Sequence, residues 1–225
     1  MMETKKEEAD EELLRLQKEM EQIRFRYLYE SAVRSVMEIT RREVVGLENA
    51  FNREILSSLS GRIKTPESIE RKLEKKGCKV NLETARTKLN DIAGVRAACF
   101  FLDDVYELAK RLKRQDGFCV LKEKNYIESP KASGYKSLHL IVEVPVQMPE
   151  EKAIKQGSSA SEPVRVELQL RTLAMDFWAR LDHRLCYKKD LKAAKNVQKD
   201  LRKYAEIIAR VDMQMLSLRN RIDAI

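Results

Sequence analysis

Glycine is scarce in this sequence. There are seven, and the closest two, Gly46 and Gly61, stand 15 apart. A P-loop or a GxGxxG turn needs glycines a few positions from one another, so neither can be written here. Any bound nucleotide must be held by side chains and helix ends. Histidine is scarcer still: His139 and His183 are the only two, too few for the multi-histidine metal centre that a phosphohydrolase would need. The four cysteines, at 78, 99, 119 and 186, form no CxxC pair. That excludes a thiolate zinc site of ordinary spacing and leaves little for a disulfide framework, so a reducing cytoplasm is the expected compartment. No apolar run approaches the ~18 residues of a membrane span. The start, MMETKKEEADEELL, is acidic and has no apolar h-region, so no signal peptide is expected.

What is abundant is charge. Charged residues make up 36% of the chain and hydrophobic ones 43%, with a net charge of +8. Residues 1–30 hold 6 basic and 9 acidic side chains, which leaves +11 on the other 195. A basic body calls for an anionic partner, whether nucleotide phosphates, nucleic acid or an acidic protein. Lysines retained for solubility alone are the plainer alternative.

The apolar pattern predicts helix over about 7–57, in two segments, with Gly46 as the weak point and Leu13, Leu16, Met20, Ile23 and Tyr27 as one stripe. SLSGRIKTPES reads as a turn into a second helix, with Thr65 as N-cap, Pro66 at the first helical position and a stop at Gly77. GVRAACFFL (94–102) reads as a buried strand and DDVYELAKRLKRQ (103–115) as an amphipathic helix. CVLKEKNYI, SLHLIVEVP and VRVELQLRT (164–172) read as strands, the last two by clean alternation. PEEKAIKQGSSASEP (149–163) is a polar loop. From Leu173 the chain is helical, with a break near Tyr187–Leu191. Val197, Leu201, Tyr204, Ile208, Val211, Met215, Leu218 and Ile222 form an a/d seam, suited either to the N-terminal helix or to a second subunit. With no internal repeat and no dividing linker, one α/β (α+β) domain is expected: a helical flank 1–57, an α/β core 58–188 and a C-terminal helix 189–225.

Four segments could carry chemistry. In RIKTPESIERK, Arg62 and Lys64 precede a helix N-terminus, Ser68 lies in its first turn and Lys72 one turn later. This is a candidate triphosphate cradle, or else a solvated face of paired charges. In LNDIAGVRAACFF, Asp91 precedes a buried strand that Arg96 interrupts. They are either an ion pair or two groups facing a polar cleft. In VRVELQLRT the residues Arg165, Glu167, Gln169 and Arg171 share one strand face. Glu167 with Asp91 could hold one Mg²⁺ together with substrate phosphates, or the face could be simply half exposed. In SPKASGYKSLHL, Tyr135 could stack on a base, Lys131 and Lys136 hold phosphates and His139 donate to a phosphate or hydroxyl. The alternative is an ordinary loop anchor and a strand histidine. Ala174, Trp178, Leu181 and Leu185, at helical spacing, read as core.

Taken in order, GRIKTPESIERK, NDIAGVR, SPKASGYKSLHLIVEVPV and VELQLRTLAMDFWARLDHRLCYK resemble the RelA/SpoT-type (p)ppGpp synthetase domain, and more closely the small alarmone synthetases of the RelQ group. The resemblance spans about residues 45–215. It implies a nucleotidyltransferase-like mixed sheet flanked by helices. It implies a GTP pyrophosphokinase of the stringent response, moving the β,γ-pyrophosphate of ATP to the 3′-hydroxyl of GDP or GTP, with Mg²⁺ as cofactor and a homotetramer as assembly. By the same resemblance Arg62 and Arg96 sandwich the adenine, and Lys64, Ser68 and Lys72 reach the ATP phosphates. Asp91 holds Mg²⁺, and Glu167 shares it or takes the 3′-hydroxyl proton. Tyr135 stacks on the guanine, Lys131, Lys136 and His139 lie near the acceptor phosphates, and Gln169 sits beside Glu167. One stretch departs from the group: in SSLSGRIK, Ser58 and Ser60 replace the aromatic and threonine of product-sensing members, which weakens the case for activation by pppGpp. With too few histidines for a hydrolase site, synthesis alone is expected. The rival readings are an RNA-directed relative, binding RNA or pyrophosphorylating tRNA, and a helical scaffold with a dead nucleotide fold.

Overall fold

The computed structural model describes residues 2–148, 161–187 and 195–225. Helices α1 (Met2–Glu21) and α2 (Ile23–Phe51) lead into strand β1 (Leu56–Ile63). Helices α3 (Pro66–Glu74) and α4 (Leu82–Lys88) come before β2 (Ala93–Cys99). Then follow α5 (Leu102–Leu112), β3 (Cys119–Asn125), β4 (Leu138–Gln147) and β5 (Ser161–Thr172). Helices α6 (Leu173–Tyr187) and α7 (Lys195–Ile222) close the chain. The strands form one sheet in the order β1-β2-β5-β4-β3, in which only β2 and β5 run parallel. This is the mixed sheet flanked by helices that the sequence predicts.

Alternation gives the sheet two unlike faces. Val95 and Ala97 of β2, Leu140 and Val142 of β4, and Val166 and Leu168 of β5 belong to the main core. There they meet Leu28, Ala32, Val36 and Leu47 of α2 and Leu108 and Leu112 of α5. Register sets the opposite face: Arg62 pairs with Gly94, Gly94 with Glu167, Arg96 with Gln169, and Gln169 with His139. Polar groups from four strands therefore lie side by side across the sheet. A second, smaller cluster of Trp178, Leu201 and Ala205 packs with Tyr135 at one end of this polar face.

Several expectations are corrected. The N-terminal break falls at Gln22, not Gly46, and α2 runs through Gly46 to Phe51. Asn52, in the left-handed region at φ 50°, ends it. The break rotates the predicted stripe: Leu16 and Met20 are buried, but Ile23 is 72% exposed. SLSGRI is a strand rather than a turn. A bulge between Leu56 and Ser58 leaves Leu56, Leu59 and Ile63 as its half-buried residues, a spacing that conceals the period of two. Gly61 permits that strand, because a Cβ there would lie 2.3 Å from Val33 Cγ1 and 2.8 Å from Met37 Sδ of α2. Thr65 is the N-cap of α3 by position, but its hydroxyl donates to Ser68 Oγ rather than capping a backbone amide. Helix α4, capped by Asn81 accepting from the Thr84 amide at 2.8 Å, was not predicted. Of the predicted α6 core, Trp178 is buried, whereas Leu181 and Leu185 are exposed. The polar loop predicted at 149–163 lies outside the described residues up to 160. Residues 161–163 begin β5. The predicted break near Tyr187–Leu191 begins where α6 ends, and residues 188–194 lie outside the described ones. Among the described residues no helix is long and apolar enough to cross a membrane.

Candidate active site

A cleft opens on the polar face of β1, β2 and β5, lined by Arg62, Asp91, Gly94, Arg96, Glu167 and Gln169 among others. Asp91 sits just before β2, in reach of both α3 and the end of β1. Its Oδ2 accepts from Lys64 Nζ at 2.8 Å and Lys72 Nζ at 2.7 Å. Its Oδ1 is buried with no hydrogen-bond partner. Burial pushes this carboxyl up, but the two ammonium groups together outweigh it and hold the group below the usual carboxylate range.

Glu167 is the end point of a closed ring of hydrogen bonds. Arg171 Nη2 donates to Tyr135 Oη at 2.5 Å and to Gln169 Oε1 at 2.8 Å. Gln169 Nε2 donates to Glu167 Oε2 at 2.7 Å. Tyr135 Oη lies 2.8 Å from His139 Nε2, and His139 Nδ1 lies 3.1 Å from Glu167 Oε1. The partners set the imidazole tautomer: an ionised carboxylate only accepts, so Nδ1 carries the hydrogen, and Nε2 accepts from the Tyr135 hydroxyl. Two chains of donors thus run from one guanidinium to one carboxylate, polarising each other along the way. Burial raises the Glu167 carboxyl, but the bond from His139 and the one from Gln169 bring it below its ordinary value, against a smaller upward push from Asp91.

Around Tyr135 the loop before β4 is held tightly. Gly134 has φ +86°, and a Cβ there would lie 2.5 Å from Ala205 Cβ of α7, so both conformation and contact require glycine. Lys131 Nζ stands 4.8 Å from the ring centres of both Tyr126 and Tyr135, and the Arg171 guanidinium 5.1 Å from that of Tyr135. Tyr126 meets His139 edge-on at 5.1 Å. Burial pulls the Lys131 ammonium below its ordinary value, with Glu167 opposing.

Of the residues singled out in the sequence, Arg62, Lys64, Lys72, Asp91, Arg96, Glu167 and Gln169 converge on the cleft. His139 and Tyr135 join through the hydrogen-bond ring, and Lys131 lies over the aromatic group. Ser68 sits at the margin beside Arg71, Lys72 and Lys75. Lys136 is not brought to this group. It lines a depression on the other side of the loop with Met175, Trp178 and Asp212. Arg171, Asp176 and Tyr126 were not among the predicted site residues. Arg171 shares the parity of Glu167 and Gln169, a signal the alternation of β5 already carried. Asp176 and Tyr126 had no such signal. Among the described residues no cluster of three or more histidine, cysteine or acidic side chains could hold a metal by itself.

Residues 61–192 match the family described as the region found in RelA / SpoT proteins. The GTP pyrophosphokinase YwaC of Bacillus subtilis is 39% identical over 162 residues, covering 72% of this chain and 73% of its own. The GTP pyrophosphokinase YjbM of the same organism is 34% identical over 165 residues, 73% and 72% of the two chains. The crystal structure of small alarmone synthetase 1 from Bacillus subtilis bound to its product pppGpp superposes with a TM-score of 0.76. It is 31% identical and covers 88% of this chain and 96% of that one. The mixed sheet that carries the cleft, the ordered motifs and these relatives agree: the chain belongs to the RelA/SpoT family.

Proposed function

We propose that this chain is a GTP pyrophosphokinase that transfers the β,γ-pyrophosphate of ATP to the ribose 3′-hydroxyl of GDP or GTP. The observation that carries it is the pairing of two carboxylates, Asp91 and Glu167, in one cleft rimmed by Arg62, Lys64, Lys72 and Arg96. The acceptor oxygen attacks the β-phosphorus, the bond from that phosphorus to the oxygen of the α-phosphate breaks, and AMP leaves with the electron pair. The hydroxyl proton passes to Glu167, whose two oxygens already face donors and whose orientation the ring of bonds fixes. Lys64 and Lys72 are held on Asp91 and exchange that partner for phosphate oxygens when ATP enters. Arg62 and Arg96 offer flat guanidinium groups to the adenine. A guanine stacked on Tyr135 displaces Lys131 from that ring and frees its ammonium for the acceptor phosphates, whereas Arg171 stays bound beneath.

A divalent cation fits the donor set. The unpartnered Asp91 Oδ1 and the Glu167 carboxylate face the same cleft, and Mg²⁺ takes one or two carboxylates with substrate phosphates completing its shell. When bound it neutralises developing charge on the transferred phosphates. With ATP and guanosine nucleotides as substrates, the place of action is the cytoplasm. A homotetramer, built through the outward stripe of α7, is the assembly we propose.

The test is transfer of label from γ-labelled ATP with Mg²⁺ and GDP, GTP or bulk tRNA. Label in a guanosine tetra- or pentaphosphate, reduced about 10²–10⁴-fold in rate by Glu167→Gln, is the expected result. Label in tRNA alone would keep the chemistry and overturn the acceptor.

A further inference from the structure

Asp176 lies in the first turn of α6, outside the cleft, and yet among the described residues it is the one carboxylate that answers guanidinium groups from both halves of the proposed site. It is 3% exposed. Its Oδ1 accepts from Arg171 Nη1 at 3.1 Å, and its Oδ2 from Arg180 Nε at 2.6 Å. The same Oδ1 lies 3.6 Å from Arg96 Nε, a buried group with no hydrogen-bond partner. Arg96 lines the cleft of the proposed ATP half. Arg171 is the origin of both donor chains to Glu167 and holds Tyr135 in the acceptor half.

Resting on the function proposed above, we infer that Asp176 is a positioning residue that orients both nucleotide half-sites at once. A buried arginine without its counter-ion is not stable in place. Arg171 has no other carboxylate among its described partners, which are Ser137, Tyr135, Gln169 and Asp176. Arg96 Nε stands beyond hydrogen-bond range of Asp176, so its guanidinium is held by attraction rather than by a fixed bond. Attraction of that kind lets its plane turn toward a base without breaking contact. Without Asp176 the two guanidinium groups would repel across the same volume: burial first, and then the charge of Arg171, already depress the Arg96 group. The freer one, Arg96, would swing, and Arg171 would lose the anchor that aims Tyr135 and Gln169.

The test is Asp176→Asn, with Arg180→Ala as the control that removes the outer, 63% exposed partner of the same carboxylate. Steady-state rates are read with ATP and GDP varied separately. Nucleotide affinities are read without turnover from the single tryptophan, Trp178, whose ring lies 6.5 Å from that of Tyr135. Asp176→Asn is expected to raise both KM values and weaken both affinities about tenfold or more, and Arg180→Ala to leave all four unchanged. In an Arg96→Ala background, Asp176→Asn should weaken GDP alone. Circular dichroism checks folding. If the Asn variant does not fold, Asp176→Glu keeps the charge, shifts it by one methylene, and should still weaken both nucleotides. Unchanged affinities in a folded variant, or weakening of one nucleotide only in the parental background, would overturn the inference. Wild-type protein that binds both nucleotides but transfers no label would instead overturn the proposed function, and the affinities would still decide the role of Asp176.

Discussion

Asp91 is a carboxylate held by two ammonium groups of unlike exposure: the Lys64 side chain is 15% exposed and that of Lys72 40%. Its folded value lies below the ordinary range, so the ionised pair contributes stability at neutral pH. That contribution is lost as pH falls through the folded value, because the unfolded carboxyl binds its proton first. Asp91→Asn removes it. For an ion pair with one half-exposed partner this is about 1 kcal/mol, or roughly 2–4 °C in melting temperature for a chain this long. Thermal melts from pH 7 downward should show the variant below the parent at neutral pH. The gap should narrow below about pH 4; a gap that widens there would reverse the sign of the argument. At this scale most of the site was legible. Residue types that carry charge inside apolar strands, such as Arg96 and Glu167, announce themselves by the cost of burying them. Lys136 shows the limit. It is adjacent in sequence to Tyr135, but a loop turned by Gly134 sends neighbours to opposite sides.

At the scale of the element, β1 is the instructive case. Its sequence, LSSLSGRI, is weak in strand formers and its bulge hides the alternation, so pairing with β2 rather than local preference makes it a strand. That pairing positions Arg62 opposite Gly94 at the cleft and depends on α2 lying close behind Gly61. Gly61→Ala places a methyl group 2.3 Å from Val33 Cγ1, which only a shift of α2 or β1 can relieve. The expected cost is about 1–3 kcal/mol, measured by chemical denaturation. Because β1 carries Arg62, the KM for ATP should rise more than that for GDP. Val33→Ala in the same chain opens the space and should recover part of both losses. No recovery would mean that the glycine serves something other than the helix contact. By contrast β4 and β5 were legible from their alternating sequence, which the burial follows in the second half of β4 and the first part of β5, whereas Leu138–Val142 and Leu170–Thr172 are buried on both faces.

The whole molecule is where one sequence gave two readings. The seam along α7 suited either the N-terminal helix or a second subunit. Helix α1 packs on α2, α3 and α4, and α7 on α6 and α5, so the first reading falls. The seam itself divides. Leu201, with Val197 and Ile208 beside it, turns inward to Trp178, next to the non-seam residues Ala205, in the same cluster, and Asp212, which accepts from the Thr172 hydroxyl at 2.6 Å. Tyr204, Val211, Met215, Leu218 and Ile222 stay exposed. Five large apolar groups at steps of three, four and seven on one face are what a helix-to-helix contact between copies buries. The inward stripe also presses Ala205 against Gly134, so the proposed assembly face and the loop that carries Tyr135 share one helix. Val211→Glu with Leu218→Glu would place two carboxylates in such a contact and leave the inward stripe untouched. Light scattering after gel filtration should then report a smaller assembly than the parent, with circular dichroism unchanged. If the parent is itself a monomer, or the doubly charged variant keeps the parent's mass, the outward stripe is not the interface between subunits.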